Sequence, residues 1–141
     1  MLFKEAVSHC QIHAPIVVCE EKGKIYRAHN VDGNKVFKYH IDGEIIEDNS
    51  IIKCDYLVEN EDKKSAYLIE LKGKDLLHAI EQVENTNRIF SGLFKSNDYS
   101  VYLRIVYKSN THAVNSPEYR RFKTKYSSAL KIGTISLEEN I

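Results

Sequence analysis

The sequence contains no tryptophan, two prolines, six glycines and three cysteines among 141 residues. Because proline and glycine are so scarce, no linker-like stretch divides the chain, and its length predicts a single domain over residues 1–141. The cysteines, Cys10, Cys19 and Cys54, are odd in number and lack the spacing of a disulfide framework or of a zinc site. This usage is typical of a protein in a reducing compartment.

Long hydrophobic runs are missing as well. The longest are about four residues, as at 16–19, whereas a membrane-spanning helix needs about 20. The first residues also lack the apolar segment of a secretory signal. Hydrophobic residues nevertheless make up 43% of the chain and charged residues 28%, which is typical of a soluble protein with a real core. We therefore expect a cytoplasmic protein.

The net charge is zero, which weakens the simplest argument for nucleic-acid binding because many such proteins are basic overall. The charges are segregated, however. Residues 42–62 hold eight acidic residues and one basic residue, whereas residues 101–131 hold seven basic residues and one acidic residue. Segregation of this kind could place an acidic, cation-attracting site beside a basic, phosphate-attracting surface. Two ordinary solvated faces would also produce the pattern.

Hydrophobic periodicity predicts a mixed α/β domain in which helices pack on a sheet. A first hairpin is expected around Asp32-Gly33, a favoured pair for a tight turn, and a second around residues 60–64. The first expected strand begins at residue 16, and the others span residues 24–31, 35–41, 51–59, 65–72, 101–107 and 130–137. The expected helices span residues 2–10, about 75–95 and 117–129.

The second hairpin holds the residues from which a function can be argued. If its turn lies at Asp62-Lys63, Asp55 faces Glu70 with Cβ atoms about 5 Å apart. Glu70 and Lys72 share one face of their strand because side chains alternate. We expect the residues of the other face to pack on the long helix; they are Tyr67, Ile69 and Leu71.

Two carboxylates at that distance repel each other unless a positive charge lies between them. Mg²⁺ or Mn²⁺ would satisfy both, and Mg²⁺ is commonly held by one or two carboxylates together with waters and phosphate oxygens. Lys72 beside such a cation could orient or deprotonate a water and offset charge that develops on a phosphate. These groups match the requirements of metal-assisted phosphodiester hydrolysis.

The arrangement resembles the PD-(D/E)XK nuclease superfamily, in which an acidic residue on one strand precedes Glu-x-Lys on the next. Asp55 and the motif Glu70-Leu71-Lys72 match this pattern. The segment 79–82, Ala-Ile-Glu-Gln, is similar to one that the family often carries near the start of its next helix. The resemblance covers about residues 51–95.

The resemblance implies a restriction-endonuclease-like fold with an αβββαβ core, in which a mixed central sheet is flanked by helices. It also implies that Asp55, Glu70 and the Leu71 carbonyl bind Mg²⁺ or Mn²⁺. Lys72 would then be catalytic, and Gln82 would support the site.

The chain departs from the family at two positions. Cys54 precedes the acidic residue where the family often has proline, a change that this loose motif tolerates. The family often supplies another acidic ligand from its first helix, and only Glu5 is available for that role.

A basic segment near residue 120 is expected to contact nucleic acid. On a helix, the aromatic residues Tyr119, Phe122 and Tyr126 would form the buried side and turn the intervening bases towards solvent, where they could follow a phosphate backbone. The expected nucleic-acid-binding residues are Arg104, Lys108, Arg120, Arg121, Lys123 and Lys125.

Taken together, these patterns predict a small metal-dependent endonuclease that cleaves DNA, and a homodimer would allow it to cut both strands. A non-catalytic, nuclease-like binding protein is the alternative, an immunity or accessory factor whose acidic segment 42–62 docks on a basic protein partner. A nucleic-acid-binding module without catalysis is a third hypothesis. The sequence leaves the choice between DNA and RNA, and between duplex and single strands, open.

Overall fold

Two β-sheets form the framework of the computed structural model, which describes residues 1–72, 75–108 and 112–141. The strands are β1 (Ile16–Glu21), β2 (Lys24–His29), β3 (Val36–His40), β4 (Tyr56–Asn60), β5 (Ser65–Lys72), β6 (Ser100–Tyr107), β7 (Leu130–Thr134) and β8 (Ser136–Asn140). The helices are α1 (Leu76–Ser96) and α2 (Pro117–Tyr126), and short 3₁₀ turns occupy His112–Asn115 and Ser127–Ala129.

The larger sheet is mixed and has the order β3-β4-β5-β6-β7. Its first three strands are antiparallel neighbours, whereas β6 runs parallel to β5 and β7 runs parallel to β6. Parallel neighbours need a crossover connection, and α1 and the segment with α2 provide the two crossovers. The expectation of an α/β domain with helices on a sheet is confirmed.

The smaller sheet has the order β1-β2-β8 and was not expected. Its β1–β2 hairpin turns at Lys22 and Gly23, whose φ angles of 49° and 81° suit the tight turns that join antiparallel strands. The predicted hairpin around Asp32-Gly33 is wrong, because β2 and β3 belong to different sheets. The segment expected as one strand over 130–137 bends at Ile135, where φ is 68°, and divides between the two sheets as β7 and β8.

The second hairpin has the predicted register. Tyr56 pairs with Ile69, and Asn60 pairs with Ser65. Asp55 lies just before this ladder, next to the pair of Tyr56 and Ile69. This register brings the two carboxyl groups to the same end of the sheet.

Both faces of the larger sheet are covered by hydrophobic cores. One core lies between the sheet and α1 and includes Leu68 and Val83. The other lies between the two sheets and includes Ile69 of β5 and Tyr26 of β2. Strand β5 is therefore buried on both sides, which explains its nearly continuous run of apolar residues.

The side-chain directions along β5 correct one expectation. Tyr67, Ile69 and Leu71 pack against the smaller sheet rather than against α1. The prediction was wrong because it assumed solvent on the second face of β5, where β1, β2 and β8 lie. Since side chains alternate, Glu70 and Lys72 share the face that carries α1.

The two longer helices lie close to their predicted positions, with Asp75 capping α1 through a 3.0 Å bond from the His78 N–H and Ser116 capping α2. Residues 2–10, in contrast, form turns and loops instead of the predicted helix. Their apolar side chains, such as Leu2 and Phe3, still pack on the core beside α1. No helix in the described ranges is long and apolar enough to cross a membrane.

Candidate active site

The facing ends of β4 and β5 bring the predicted carboxyl groups together. The Asp55 backbone N–H donates to the Ile69 carbonyl at 3.1 Å, and the Asp55 carboxylate accepts a bond from the Leu71 N–H at 2.9 Å. The carboxyl group of Asp55 lies close enough to that of Glu70 to raise its pKa. The site is therefore fixed by the backbone ladder of one hairpin.

Both carboxyl groups hold their protons more tightly than they would in water. Burial raises the pKa of Asp55 to about 7; the Leu71 N–H opposes this effect, and the carboxylate of Glu21 adds to it. Burial also raises the pKa of Glu70 to about 9, with the charge of Asp55 adding to the effect and Lys72 opposing it. Two carboxyl groups this close cannot both ionise readily without a compensating positive charge.

A cavity of about 330 Å³ joins this pair to the remaining residues of the motif. Asp55, Glu70, Leu71, Lys72 and Gln82 all line it. The Gln82 side-chain amide donates to the Lys53 carbonyl at 3.1 Å. Glu70 Oε1 and Gln82 Oε1 have no hydrogen-bond partner among the described residues. The hairpin and the first turns of α1 thus present two oxygen acceptors to one small space.

The cavity is also lined by four residues that were not predicted to lie there. Glu21, Lys22 and Lys24 come from the β1–β2 hairpin, and Asp42 follows β3. Glu21 lies close enough to Asp55 to raise its pKa. No local motif marks Glu21, Lys22 and Lys24, because they reach the site through the packing of the smaller sheet on the larger one; their only signal was the charged turn at residues 20–24. Asp42 belongs to the acidic segment 42–62.

Glu5 is not part of this cavity. It is exposed and lines a separate cavity with Phe3 and Glu44. Its predicted role as a metal ligand assumed a helix over residues 2–10, which does not form. Glu21 occupies the place beside Asp55 that was expected for Glu5.

The donor groups of the cavity fit a cation that needs few protein ligands. In the part of the chain that the structure describes, no group of three or more His, Cys, Asp and Glu side chains is arranged as a metal site. Asp42 is engaged by Lys53 at 3.4 Å. The pair formed by Asp55 and Glu70 nevertheless suits Mg²⁺, which often takes only one or two protein carboxylates, and the unpartnered Glu70 Oε1 is a suitable ligand atom.

Arg104 does not belong to an exposed basic surface, so this expectation is corrected. Its side chain is 3% exposed, and its guanidinium binds the Glu139 carboxylate at 3.0 Å and lies 5.5 Å from the rings of Tyr67 and Tyr102. Strand alternation turns position 104 towards the smaller sheet, whereas its neighbour Leu103 faces α1. The residue holds the two sheets together.

The other expected nucleic-acid-binding residues are exposed. Phe122 is buried against the core at 3% exposure, as predicted for the aromatic side of α2, and the basic residues of the helix face outwards. Lys125 binds Glu84 of α1 at 3.1 Å. The exposed set is Lys108, Arg120, Arg121, Lys123 and Lys125.

Comparison with protein-family models, curated proteins and solved structures finds no match to this chain. The geometry of the cavity and the resemblance of its residues to a known motif are therefore the basis for proposing a function.

Proposed function

We propose that this protein is a metal-dependent phosphodiesterase, an endonuclease that cleaves DNA. The observation that supports this most directly is the convergence of Asp55, Glu70, Lys72 and Gln82 on one cavity. The strand order adds support. Three antiparallel strands, a crossover helix and a parallel strand, β3-β4-β5-α1-β6, correspond to the βββαβ part of the restriction-endonuclease-like core that the resemblance implies.

Each residue has a role that its position allows. Asp55 and Glu70, with the Leu71 carbonyl, would hold Mg²⁺ or Mn²⁺. The cation, when bound, would supply a Lewis acid for the phosphate and lower the pKa of a water. Lys72, half-buried on the same face as Glu70, orients the attacking water and offsets negative charge that develops on the phosphate. Gln82 Oε1 is available to accept a hydrogen bond from a water.

A nucleic acid, DNA in our proposal, is the substrate because exposed basic residues of α2 can bind its phosphates. The exposed bases of α2 lie on a helix that packs against α1 through Glu84, and α1 also carries Gln82. Such basic side chains bind a phosphate backbone without regard to sequence. A homodimer would allow one small domain to cut both strands of a duplex.

The experiment that tests the function is cleavage of supercoiled and single-stranded DNA in Mg²⁺ or Mn²⁺, with EDTA as one control. Asp55→Asn, Glu70→Gln and Lys72→Met should each reduce cleavage by roughly 10²-fold or more. Lys95→Met, an exposed position in the last turn of α1, should leave cleavage unchanged. Absence of metal-dependent cutting of DNA and RNA, together with no metal binding by calorimetry, would contradict the proposal and favour the protein-binding alternative.

A further inference from the structure

Lys24 occupies an inward-facing position of β2, at the start of the strand. Tyr26 and Ala28, the next residues on the same face, belong to the core between the two sheets. Lys24 is only 5% exposed. A lysine at a core position needs an explanation, because burial of an ammonium group costs free energy unless the charge is paired.

The ammonium of Lys24 is poorly satisfied within the protein. Its Nζ donates to the Lys22 carbonyl at 3.2 Å, and it forms no ion pair with any Asp or Glu that the structure describes. A lysine ammonium has three N–H groups to donate. The one carbonyl contact therefore leaves donor capacity unused in a buried position.

The position of Lys24 supplies the explanation. It lines the cavity that also contains Asp55, Glu70 and Lys72. Lys72 enters this cavity from the larger sheet and Lys24 from the smaller one, so cationic groups from both sheets border the two carboxyl groups. A ligand of this cavity would have to suit the ammonium groups as well as a cation held by the two carboxylates. Anionic oxygens do both, because they accept hydrogen bonds from ammonium groups and bind cations.

We propose that Lys24 is a substrate-binding residue that donates to a phosphodiester oxygen beside the Asp55–Glu70 pair. This inference rests on the proposed function, whose substrate class it specifies further. The smaller sheet, which lies outside the strands that resemble a nuclease, would then form part of the substrate-binding surface. Lys24 would contribute to binding, whereas Lys72 would act on the reacting water.

Binding can be measured without cleavage in a Lys72→Met background. We would titrate fluorescein-labelled single-stranded and duplex DNA in Mg²⁺ and compare Lys72→Met with Lys24→Met/Lys72→Met by fluorescence anisotropy. The second variant should bind about tenfold more weakly, the change expected for one lost hydrogen bond from a charged donor. Lys95→Met in the same background is the matched control and should bind like its parent. In otherwise native protein, Lys24→Met should raise KM for cleavage and change kcat little.

Thermal unfolding separates a binding role from a structural one. Since methionine matches the lysine stem and removes a poorly paired charge, Lys24→Met should unfold at the same temperature as the native protein or higher. A lower unfolding temperature, or unchanged DNA affinity and KM in a protein that still cuts DNA, would overturn the inference and leave the nuclease function standing. If the native protein neither binds nor cuts nucleic acid, both proposals fail.

Discussion

The Asp55 carboxylate accepts a hydrogen bond from the backbone N–H of Leu71, at 2.9 Å. This contact links the residue before β4 to the end of β5, next to Glu70. It also opposes the effect of burial on the pKa of Asp55. The bond therefore anchors the Asp55 carboxylate beside Glu70.

The raised pKa of Glu70 predicts how metal-free stability depends on pH. Burial raises this pKa to about 9, so the folded protein keeps a proton that the unfolded chain releases near pH 4.5. The contribution of this proton to the free energy of unfolding is fully present below the pKa of Glu70 in the unfolded chain. It is lost as the pH rises through the pKa of Glu70 in the folded protein. In EDTA, the unfolding temperature should fall between about pH 5 and pH 9, and that of Glu70→Gln should fall less. Glu20→Gln, at an exposed position of β1, should show the same pH dependence of the unfolding temperature as the native protein. The same pH dependence in Glu70→Gln would contradict this account.

Metal binding should release protons. The raised pKa values of Asp55 and Glu70 mean that a cation must displace protons from the pair. Mn²⁺ should be titrated calorimetrically near pH 7 in two buffers of different ionisation enthalpy. The apparent binding enthalpies should differ in proportion to the number of protons released. The difference should shrink in Glu70→Gln. Equal enthalpies in both buffers for the native protein would exclude this linkage.

The ion pair of Arg104 with Glu139 should be a major source of stability. Although burial opposes ionisation of Glu139, the Arg104 guanidinium holds its pKa below the usual value, and Tyr26 also donates to its carboxylate at 2.9 Å. Removing one partner leaves a buried charge unpaired, so Glu139→Gln should lower the free energy of unfolding by about 3–5 kcal/mol. Urea denaturation would measure this. Glu138→Gln changes the neighbouring, half-exposed position and should cost less than about 1 kcal/mol.

The exposed basic residues of α2 should contribute to DNA affinity through their charge alone. Arg120 and Lys123 lie one turn apart on the exposed side of the helix. The double variant Arg120→Gln/Lys123→Gln should weaken binding to all DNA sequences about equally. It should also reduce the slope of log affinity against log salt concentration by up to about 2. An unchanged salt slope would show that α2 does not meet the phosphate backbone.

A glycine at the junction of the two sheets should not tolerate a side chain. A Cβ at Gly133 would lie 2.6 Å from the Ser136 carbonyl oxygen, and a backbone atom cannot move aside without disturbing β8. Gly133→Ala should therefore destabilise the protein by roughly 1–3 kcal/mol. Gly92→Ala in α1 is the matched control, since a Cβ at that position would meet nothing within 4 Å; it should stabilise the helix by about 0.5–1 kcal/mol. Urea denaturation of the two variants beside the native protein would measure both changes.

The parts of the site that could be predicted from the sequence are local. Asp55 and Glu70 belong to one hairpin, whose turn residues set its register, and Gln82 lies on a helix with clear periodicity. The smaller sheet could not be predicted, because β2 takes as its partner a strand from the other end of the chain, pairing Tyr26 with Leu137. Nothing in the sequence of either segment indicates that the other is its partner. Arg104 was misplaced for the same reason, since its partner Glu139 comes from that sheet.

The smaller sheet also determines when the cavity can be completed during synthesis. The hairpin with Asp55 and Glu70 leaves the ribosome long before residues 136–140, yet β2 gains its second neighbour only when β8 has emerged. Until then β1 and β2, which carry Glu21 and Lys24, have only each other as partners in their sheet. A nascent chain would therefore hold the two carboxyl groups in a half-built pocket, so the activity proposed for the cavity would have to wait until β8 has been translated.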